Sequence, residues 1–183
     1  MLCGEITESA SEPALTANVE TILLSASPAP DSNLPASFDW RNKDSRDWTT
    51  PIKNQGRCGS CVAHAALAAF ESVLEIANNQ PDSNPDLSEQ TLFFCGCDQC
   101  CRRGWYLDKA AEFLRDTGVP DETCWIYSPA DIKCEGYCAD REARVKKAAT
   151  FHRLASPQEM KQSLVQNGPL LGRMDVYLDF FYY

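Results

Sequence analysis

The sequence predicts an α+β fold, with helices in the middle of the chain and strands towards its C-terminus. Apolar residues recur three or four positions apart over 61–77 and again over 105–117, which is typical of amphipathic helices. The C-terminal stretch "LLGRMDVYLDFFYY" is instead rich in aromatic and aliphatic residues, as strands are. Because the helices come first and the strands last, the order does not match alternating βαβ units.

The first 33 residues are predicted to be a tail or the remnant of a leader. They are rich in Ala, Ser, Pro, Glu and Thr, a composition that buries little apolar surface. The ordered domain is expected to span 34–183, beginning at "LPASFDWR". The stretch "TTPIKNQGRCGSC" then predicts extended chain followed by a glycine-bearing turn.

Four helices are predicted from apolar spacing and from start and stop signals. The first runs from Cys61 to about residue 77, and its apolar face comprises Ala63, Leu67, Phe70, Leu74 and Ala77. A short helix opens near Ser88, and "CGCDQCC" after it is too cysteine-dense for regular structure. The helix over 105–117 ends at Gly118, and the capping box "SPQE" starts the last one at Pro157, with Met160 and Leu164 towards the core.

Composition and charge exclude several classes of function. The chain has 183 residues, 44% of them hydrophobic, which suits one domain or two small ones. Its net charge of −9 disfavours nucleic acid and anionic membrane surfaces as partners, and no apolar run approaches the ~20 residues of a spanning helix. Ten cysteines favour an oxidising compartment, although the N-terminus lacks the pattern of a signal peptide.

The stretch "QGRCGSCVAH" at 55–64 is the strongest chemical signal. Cys61 stands where a helix begins, and the helix N-terminus stabilises a thiolate, the nucleophilic form of cysteine. Gly59 lets other backbone approach closely, and Gln55 offers a side-chain N–H to a developing oxyanion. The alternatives are that Cys58 and Cys61 form a redox pair or are structural cysteines.

Several motifs together resemble the papain-like cysteine peptidases, the family of papain and the lysosomal cathepsins. They are "LPASFDWR", "PIKNQGRCGSCVAHAALAAFES", "LSEQ" at 88–91, "CRRGW" at 101–105, "GVPDETCWIYSP" at 118–129 and "NGPLLGRMDVYLDFF" at 167–181. The resemblance covers roughly residues 34–183. It implies a fold of two subdomains, one mostly helical and one rich in sheet, with the sheet-rich subdomain incomplete in this chain.

The resemblance also implies roles for individual residues. Cys61 matches the catalytic nucleophile and Gln55 the oxyanion donor, and no cofactor or metal is implied. The substrate is a peptide or protein, bound by residues on both sides of the cleft, namely Gly59, Ser60, Arg103, Gly104, Trp105 and Arg173. The disulfides implied are Cys58–Cys101 and, on weaker grounds, Cys95–Cys124.

A thiol of this kind needs an imidazole to stabilise the thiolate and to protonate the leaving amine. In the family the His and Asn lie ~130–150 residues beyond the cysteine, here at about position 191 or later. The chain ends at Tyr183, so we expect a truncated peptidase with little or no activity alone. His64 and His152 are expected to be structural or solvated, and "DFFYY" to be an unfinished strand.

Three positions depart from the family pattern. Val62 replaces an aromatic residue, and Arg103 replaces a glycine that binds substrate. Arg173 falls where the specificity pocket usually has a small residue, so an acidic side chain two residues before the cleaved bond would be favoured. A one-residue slip in the matching would instead leave Arg173 facing outward.

Two questions stay open at this level. "CDQC" at 97–100 and "CEGYC" at 134–138 also resemble a four-cysteine zinc site, although an even number of cysteines in an oxidising compartment favours disulfides. The alternative to a peptidase is a non-catalytic papain-like module that binds peptide in the cleft. Retention of both Gln55 and Cys61 favours the enzyme.

Overall fold

A computed structural model describes residues 6–7, 21–24, 33–174 and 176–177. Within them, five helices and five short strands follow one another along the chain. The helices are α1 (Cys61–Asn78), α2 (Glu89–Gly96), α3 (Leu107–Asp116), α4 (Arg141–Arg144) and α5 (Pro157–Asn167). The strands are β1 (Ile6–Thr7), β2 (Thr21–Leu23), β3 (His152–Arg153), β4 (Leu171–Gly172) and β5 (Val176–Tyr177).

The core forms where α1, α2 and α3 pack against one another. The predicted apolar face of α1 is largely confirmed, because Ala63, Leu67 and Phe70 are buried, whereas Ala77 is exposed. From α3, the buried residues are Leu107, Ala110, Ala111 and Leu114, at the helical spacing that predicted this element. The prediction for α1 missed two buried carboxylates, Glu71 and Glu75, which a pattern of apolar residues cannot reveal.

The helix starts follow the capping residues of the sequence. The Ser88 side chain accepts a hydrogen bond from the Thr91 N–H at the start of α2, and Ser156 accepts one from the Glu159 N–H at the start of α5. Glu159 in turn accepts from the N–H of Ala155, one residue before the N-cap, whereas in a standard capping box it would accept from the Ser156 N–H. The expectation of irregular structure from 95 onwards was wrong at its start, because α2 continues through Gly96.

Among the described residues there are two small sheets. The larger, with three strands, has the order β3-β2-β4, and both pairs are antiparallel. Leu23 pairs with His152, and Ile22 with Leu171, while β1 pairs with β5 in parallel. The interpretation of residues 1–33 as a tail therefore fails for β2, which is the central strand and is followed by the buried Leu24. β2 is ordered by its pairing with β3 and β4, and this pairing cannot be predicted from composition. The predicted aromatic strand end at 178–183 lies outside the described residues.

Four disulfides join described cysteines: Cys58–Cys101, Cys95–Cys134, Cys97–Cys100 and Cys124–Cys138. The first is the pair that the resemblance implies. The expected Cys95–Cys124 bond is corrected, because the loop over 134–138 brings one cysteine to each of them, with Cα–Cα separations of 4.8 Å in both bonds. All four sulfurs of the alternative zinc site are thus used in disulfides.

Among the described helices, α1 is long and apolar enough to cross a membrane by length and composition alone. Of its residues, 56% are buried inside the protein, and it contacts both α2 and α3. Such burial is typical of the central helix of a folded core. The separation of packed helices from antiparallel strands is the predicted α+β arrangement.

Candidate active site

The loop over 55–60 delivers Cys61 to the first position of α1. Ser60 is the N-cap residue, but its side chain makes no capping hydrogen bond to the helix. The N–H groups of the first turn are therefore not satisfied by that side chain, and their dipoles favour an anion at this end. Cys61 is half-buried and packs against the core, so its position suits a stabilised thiolate.

In the structure the sulfur of Cys61 belongs to a disulfide. A sulfur in a disulfide is neither a thiolate nor a nucleophile. Any chemistry at Cys61 therefore requires that this bond first be reduced. The geometry around Cys61 describes the site that reduction would uncover.

Gln55 is held beside the loop that leads to Cys61. Its side-chain Nε2 donates to the Cys58 carbonyl at 2.9 Å, which fixes the plane of the amide group. The backbone carbonyl oxygen of Gln55 accepts a hydrogen bond from the Tyr127 hydroxyl at 2.9 Å. Two contacts from different parts of the chain thus orient a residue expected to donate to an oxyanion.

Gly59 is required by the close approach of the turn over 101–104. Its N–H donates to the Cys101 carbonyl at 2.7 Å, beside the Cys58–Cys101 disulfide. A Cβ atom at residue 59 would lie 2.9 Å from that carbonyl oxygen and 3.3 Å from the backbone N of Gly104. Both contacts are with backbone, so only glycine fits here without displacing the turn.

Tyr127 is the site residue that sequence reasoning missed. Its hydroxyl lies 2.6 Å from Ser60 Oγ, and because the same hydroxyl donates to Gln55, Ser60 must be the donor in this pair. Ser60 is fully buried, so its side chain serves this internal chain of hydrogen bonds and faces away from the surface. The only signal was the family-like segment "CWIYSP", which does not reveal a partner 67 positions earlier.

The other expected substrate-binding residues occupy different environments. Arg103 and Arg173 are exposed, and Gly104 takes a positive φ of 71° in the turn. Trp105 is half-buried, with its ring edge-on to Phe93 and over Gly96, where any Cβ would clash with it. Trp105 therefore anchors the 101–105 segment to α2, while Arg103 projects from the same segment.

Neither histidine is placed as a general acid in the described residues. His64 Nδ1 lies 3.0 Å from the Ser60 carbonyl oxygen, and the ring packs edge-on against Tyr127. Burial lowers the pKa of His64, partly opposed by its hydrogen bond to Ser60. His152 pairs with Leu23 in the sheet.

A buried ionic cluster holds the segment immediately before Gln55. Lys53 Nζ contacts Glu71 Oε1 of α1 at 3.1 Å, Glu89 Oε1 of α2 at 2.7 Å and Asp86 Oδ1 at 2.7 Å. Burial raises the pKa of Glu71 and of Glu89, while the charge of Lys53 opposes that rise. Burial disfavours the charge on Lys53, but its acidic partners outweigh that effect and raise its pKa.

Residues 34–183 match the protein family described as "Papain family cysteine protease". The chain belongs to this family. Ananain from Ananas comosus is 31% identical over 153 residues, covering 83% of this chain and 42% of ananain. Cathepsin C from Schistosoma mansoni is 31% identical over 161 residues, covering 82% of this chain and 35% of that protein.

A solved structure supports the same fold. The Carica candamarcensis cysteine protease CMS1MS2, in complex with E-64, matches with a TM-score of 0.61 and 27% identity. The match covers 73% of this chain and 60% of that one. The chain spans between 28% and 42% of the length of the curated relatives it matches. A papain-like α+β fold is thereby confirmed. No group of three or more metal-ligating side chains lies together in the part of the chain that the structure describes.

Proposed function

We propose that the protein is a cysteine peptidase that hydrolyses peptide bonds through a thiolate at Cys61. The observation that carries the proposal is the placement of Cys61 at the first position of α1, after a loop in which the Gln55 side-chain amide is held by the Cys58 carbonyl and the Gln55 backbone carbonyl by the Tyr127 hydroxyl. A helix N-terminus and an oriented donor are what a thiolate and a developing oxyanion require. Family membership supports the same chemistry.

In this mechanism the reduced Cys61 sulfur attacks the carbonyl carbon of the substrate, and the carbonyl electron pair moves to oxygen. The Gln55 side chain and the Cys61 N–H would hydrogen-bond that oxyanion. Collapse of the intermediate breaks the C–N bond, leaving an acyl group on sulfur and an amine that takes up a proton. Water then hydrolyses the thioester and restores the thiol.

The proton for the amine has to come from an imidazole, and the placement of the two described histidines does not favour either of them. His64 is engaged with Ser60, and His152 pairs in the sheet. We therefore propose that neither His64 nor His152 supplies this proton, and that the 183-residue chain alone turns over slowly or not at all. A cysteine-dependent hydrolysis of a short peptide by this chain would contradict that part of the proposal.

Substrate binding is proposed for the loop and turn that meet beside Cys61. Gly104 would offer backbone to an extended peptide, with Trp105 holding the turn in place, whereas the buried Gly59, whose N–H bonds the Cys101 carbonyl, serves only to bring loop and turn together. The exposed Arg173 would favour an acidic residue two positions before the cleaved bond. A peptide library in which acidic residues there do no better than leucine would remove this specificity.

The four described disulfides are consistent with an oxidising compartment. We propose that the protein is secreted or delivered to a lysosome-like compartment, where such disulfides persist. We also propose residues 34–183 as the peptidase domain, preceded by a separate segment that contributes β2 to its sheet. Protein or peptide substrates would be its partners, without nucleic acid or membrane.

The test is the reactivity of the Cys61 thiol after mild reduction. Iodoacetamide should alkylate Cys61 with a pH midpoint below ~8.5, the value of an ordinary thiol. Peptide mapping identifies the modified residue. Gln55→Ala is the matched variant, because it removes the proposed oxyanion donor and leaves the Cys61 thiol in place. A midpoint at or above the ordinary value would overturn the proposal.

One observation favours a second function, a non-catalytic module that binds peptide. Cys61 is disulfide-bonded in the structure, a state in which the site cannot react. The two functions differ in their response to a reductant. After reduction with dithiothreitol, a peptidase site gives the Cys61 thiol an alkylation midpoint below ~8.5, whereas a binding module leaves that midpoint at the ordinary value and binds the peptide with unchanged affinity.

A further inference from the structure

A groove lined by arginines lies beside the loop that precedes Cys61. One cavity of about 590 Å³ has Arg57, Arg102 and Asp131 in its wall, and an adjoining cavity of about 570 Å³ has Arg102, Arg103 and Asp131. Because Arg102 and Asp131 line both cavities, the two form one continuous surface. We call it the arginine groove, defined by Arg57, Arg102, Arg103 and Asp131.

The charge of the groove is opposite to that of the chain. All three arginines are exposed, and no ion pair joins any of them to another residue in the described ranges. Asp131 accepts a hydrogen bond from the Cys101 N–H at 3.1 Å, which holds this carboxylate at the base of the turn. Three arginines against one aspartate leave a positive surface on a chain of net charge −9.

The groove is also rigidly connected to the candidate active site. The Cys58–Cys101 disulfide joins its floor to the residue between Arg57 and Gly59. The Gly59 N–H bonds the Cys101 carbonyl, and the 101–104 turn closes with a hydrogen bond from Gly104 N to the Cys100 carbonyl at 2.8 Å. A peptide that reaches Cys61 along this turn would therefore pass the three guanidinium groups.

We propose that the arginine groove binds carboxylate side chains of the peptide substrate, and so selects acidic segments near the cleaved bond. This inference depends on the proposed peptidase function for its purpose, but the binding itself does not require the Cys61 thiol. Planar guanidinium groups hold carboxylates through paired N–H···O bonds, and an exposed arginine without an ionic partner is free of competition for them.

Binding of labelled peptides to the unreduced chain tests the proposal. The probe is a fluorescein-labelled octapeptide with four Asp or Glu residues, compared by fluorescence polarisation with the same peptide bearing Asn and Gln. The acidic peptide should bind at least about tenfold more tightly at low salt, and the difference should shrink as salt rises. Arg102→Gln and Arg103→Gln should each weaken binding about fivefold.

Matched variants separate the groove from general charge. Lys161→Gln removes one positive charge from an exposed position on α5 and should leave the affinity unchanged. Arg103→Glu should weaken the acidic peptide further and allow a lysine-containing peptide to bind. Circular dichroism spectra that match the wild type verify folding of each variant.

Equal affinity for the acidic and amide peptides would overturn the proposal, as would a loss with Lys161→Gln equal to that with Arg103→Gln. Binding of a sulfated oligosaccharide at the arginines, with none of the acidic peptide, would also overturn it. Failure of the peptidase function is read separately. In that case Cys61 shows no lowered thiol pKa on alkylation, while the acidic peptide still binds.

Discussion

Replacing Lys53 by methionine should destabilise the protein far more than the loss of a surface charge. Methionine keeps most of the apolar stem but removes the cation that contacts Glu71 and Glu89. Those carboxylates are 0% and 2% exposed, whereas the Lys53 side chain is 26% exposed. Breaking a buried ion pair costs about 3–5 kcal/mol, and the partial exposure of Lys53 places the expected loss near ~3 kcal/mol. That is a large part of the ~5–15 kcal/mol of a typical domain.

The assay is urea unfolding followed by tryptophan fluorescence and circular dichroism, with Lys109→Met as the control. Lys109 contacts Glu112 at 2.8 Å, a distance like those in the buried cluster, but these side chains are 56% and 40% exposed. Solvent screening leaves such an exposed pair with little effect on stability, so Lys109→Met should unfold close to the wild type. The two variants therefore compare the same substitution in a buried and in an exposed ion pair.

The effect of Lys53→Met should also depend on pH. Burial raises the pKa of Glu71 and of Glu89, and removal of Lys53 takes away the only cation that opposes that rise within the cluster, leaving hydrogen bonds from the Thr50 hydroxyl and the Leu87 N–H to Glu71. Their protonated forms favour folding fully below the unfolded pKa of about 4.3, and this contribution is lost as pH rises through the folded values. The deficit of the variant should thus be small near pH 4 and grow towards pH 7. A loss no larger than that of Lys109→Met, or one that is constant with pH, would refute the reasoning.

Three further substitutions test the candidate site. Gly59→Ala should cost about 1–3 kcal/mol of unfolding free energy, because the Cβ would lie 2.9 Å from the Cys101 carbonyl oxygen; Gly172→Ala, which has nothing within 4 Å, should stay within about 0.5 kcal/mol in the same urea titration. Tyr127→Phe should cost about 1–3 kcal/mol, because the buried Ser60 hydroxyl loses its partner, and it should change the alkylation rate of reduced Cys61; an unchanged stability and rate would argue against a positioning role. Burial raises the pKa of Glu122 to about 7, and the hydrogen bond from the Tyr127 N–H partly opposes this rise. The contribution of Glu122 to wild-type stability should therefore be lost as pH rises from about 4.5 through 7. In Glu122→Gln the urea midpoints at about pH 5 and pH 8 should lie closer together than in the wild type.

The sequence alone determined four of the five described α-helices, missing the one-turn α4, and it determined the identity of the candidate nucleophile. Apolar spacing identified the buried faces of α1 and α3, and Ser88 and Ser156 marked the starts of α2 and α5. These features depend on residues within a few positions of one another, so local chemistry is sufficient to predict them. The position of Cys61 at a helix start is likewise predicted by the residues close to it in the sequence.

Only the tertiary structure decided which distant residues meet. The partners of Cys95 and Cys124, the pairing of β2 within the sheet and the contact of Tyr127 with Ser60 all join residues well separated in the chain. Composition did not identify β2, because its order comes from pairing with β3 and β4, which lie more than a hundred residues further along the chain. The same holds for the arginine groove, whose arginines come from two loops that a disulfide and one backbone hydrogen bond hold together. Such contacts depend on how folded elements pack, and no short stretch of sequence contains that information.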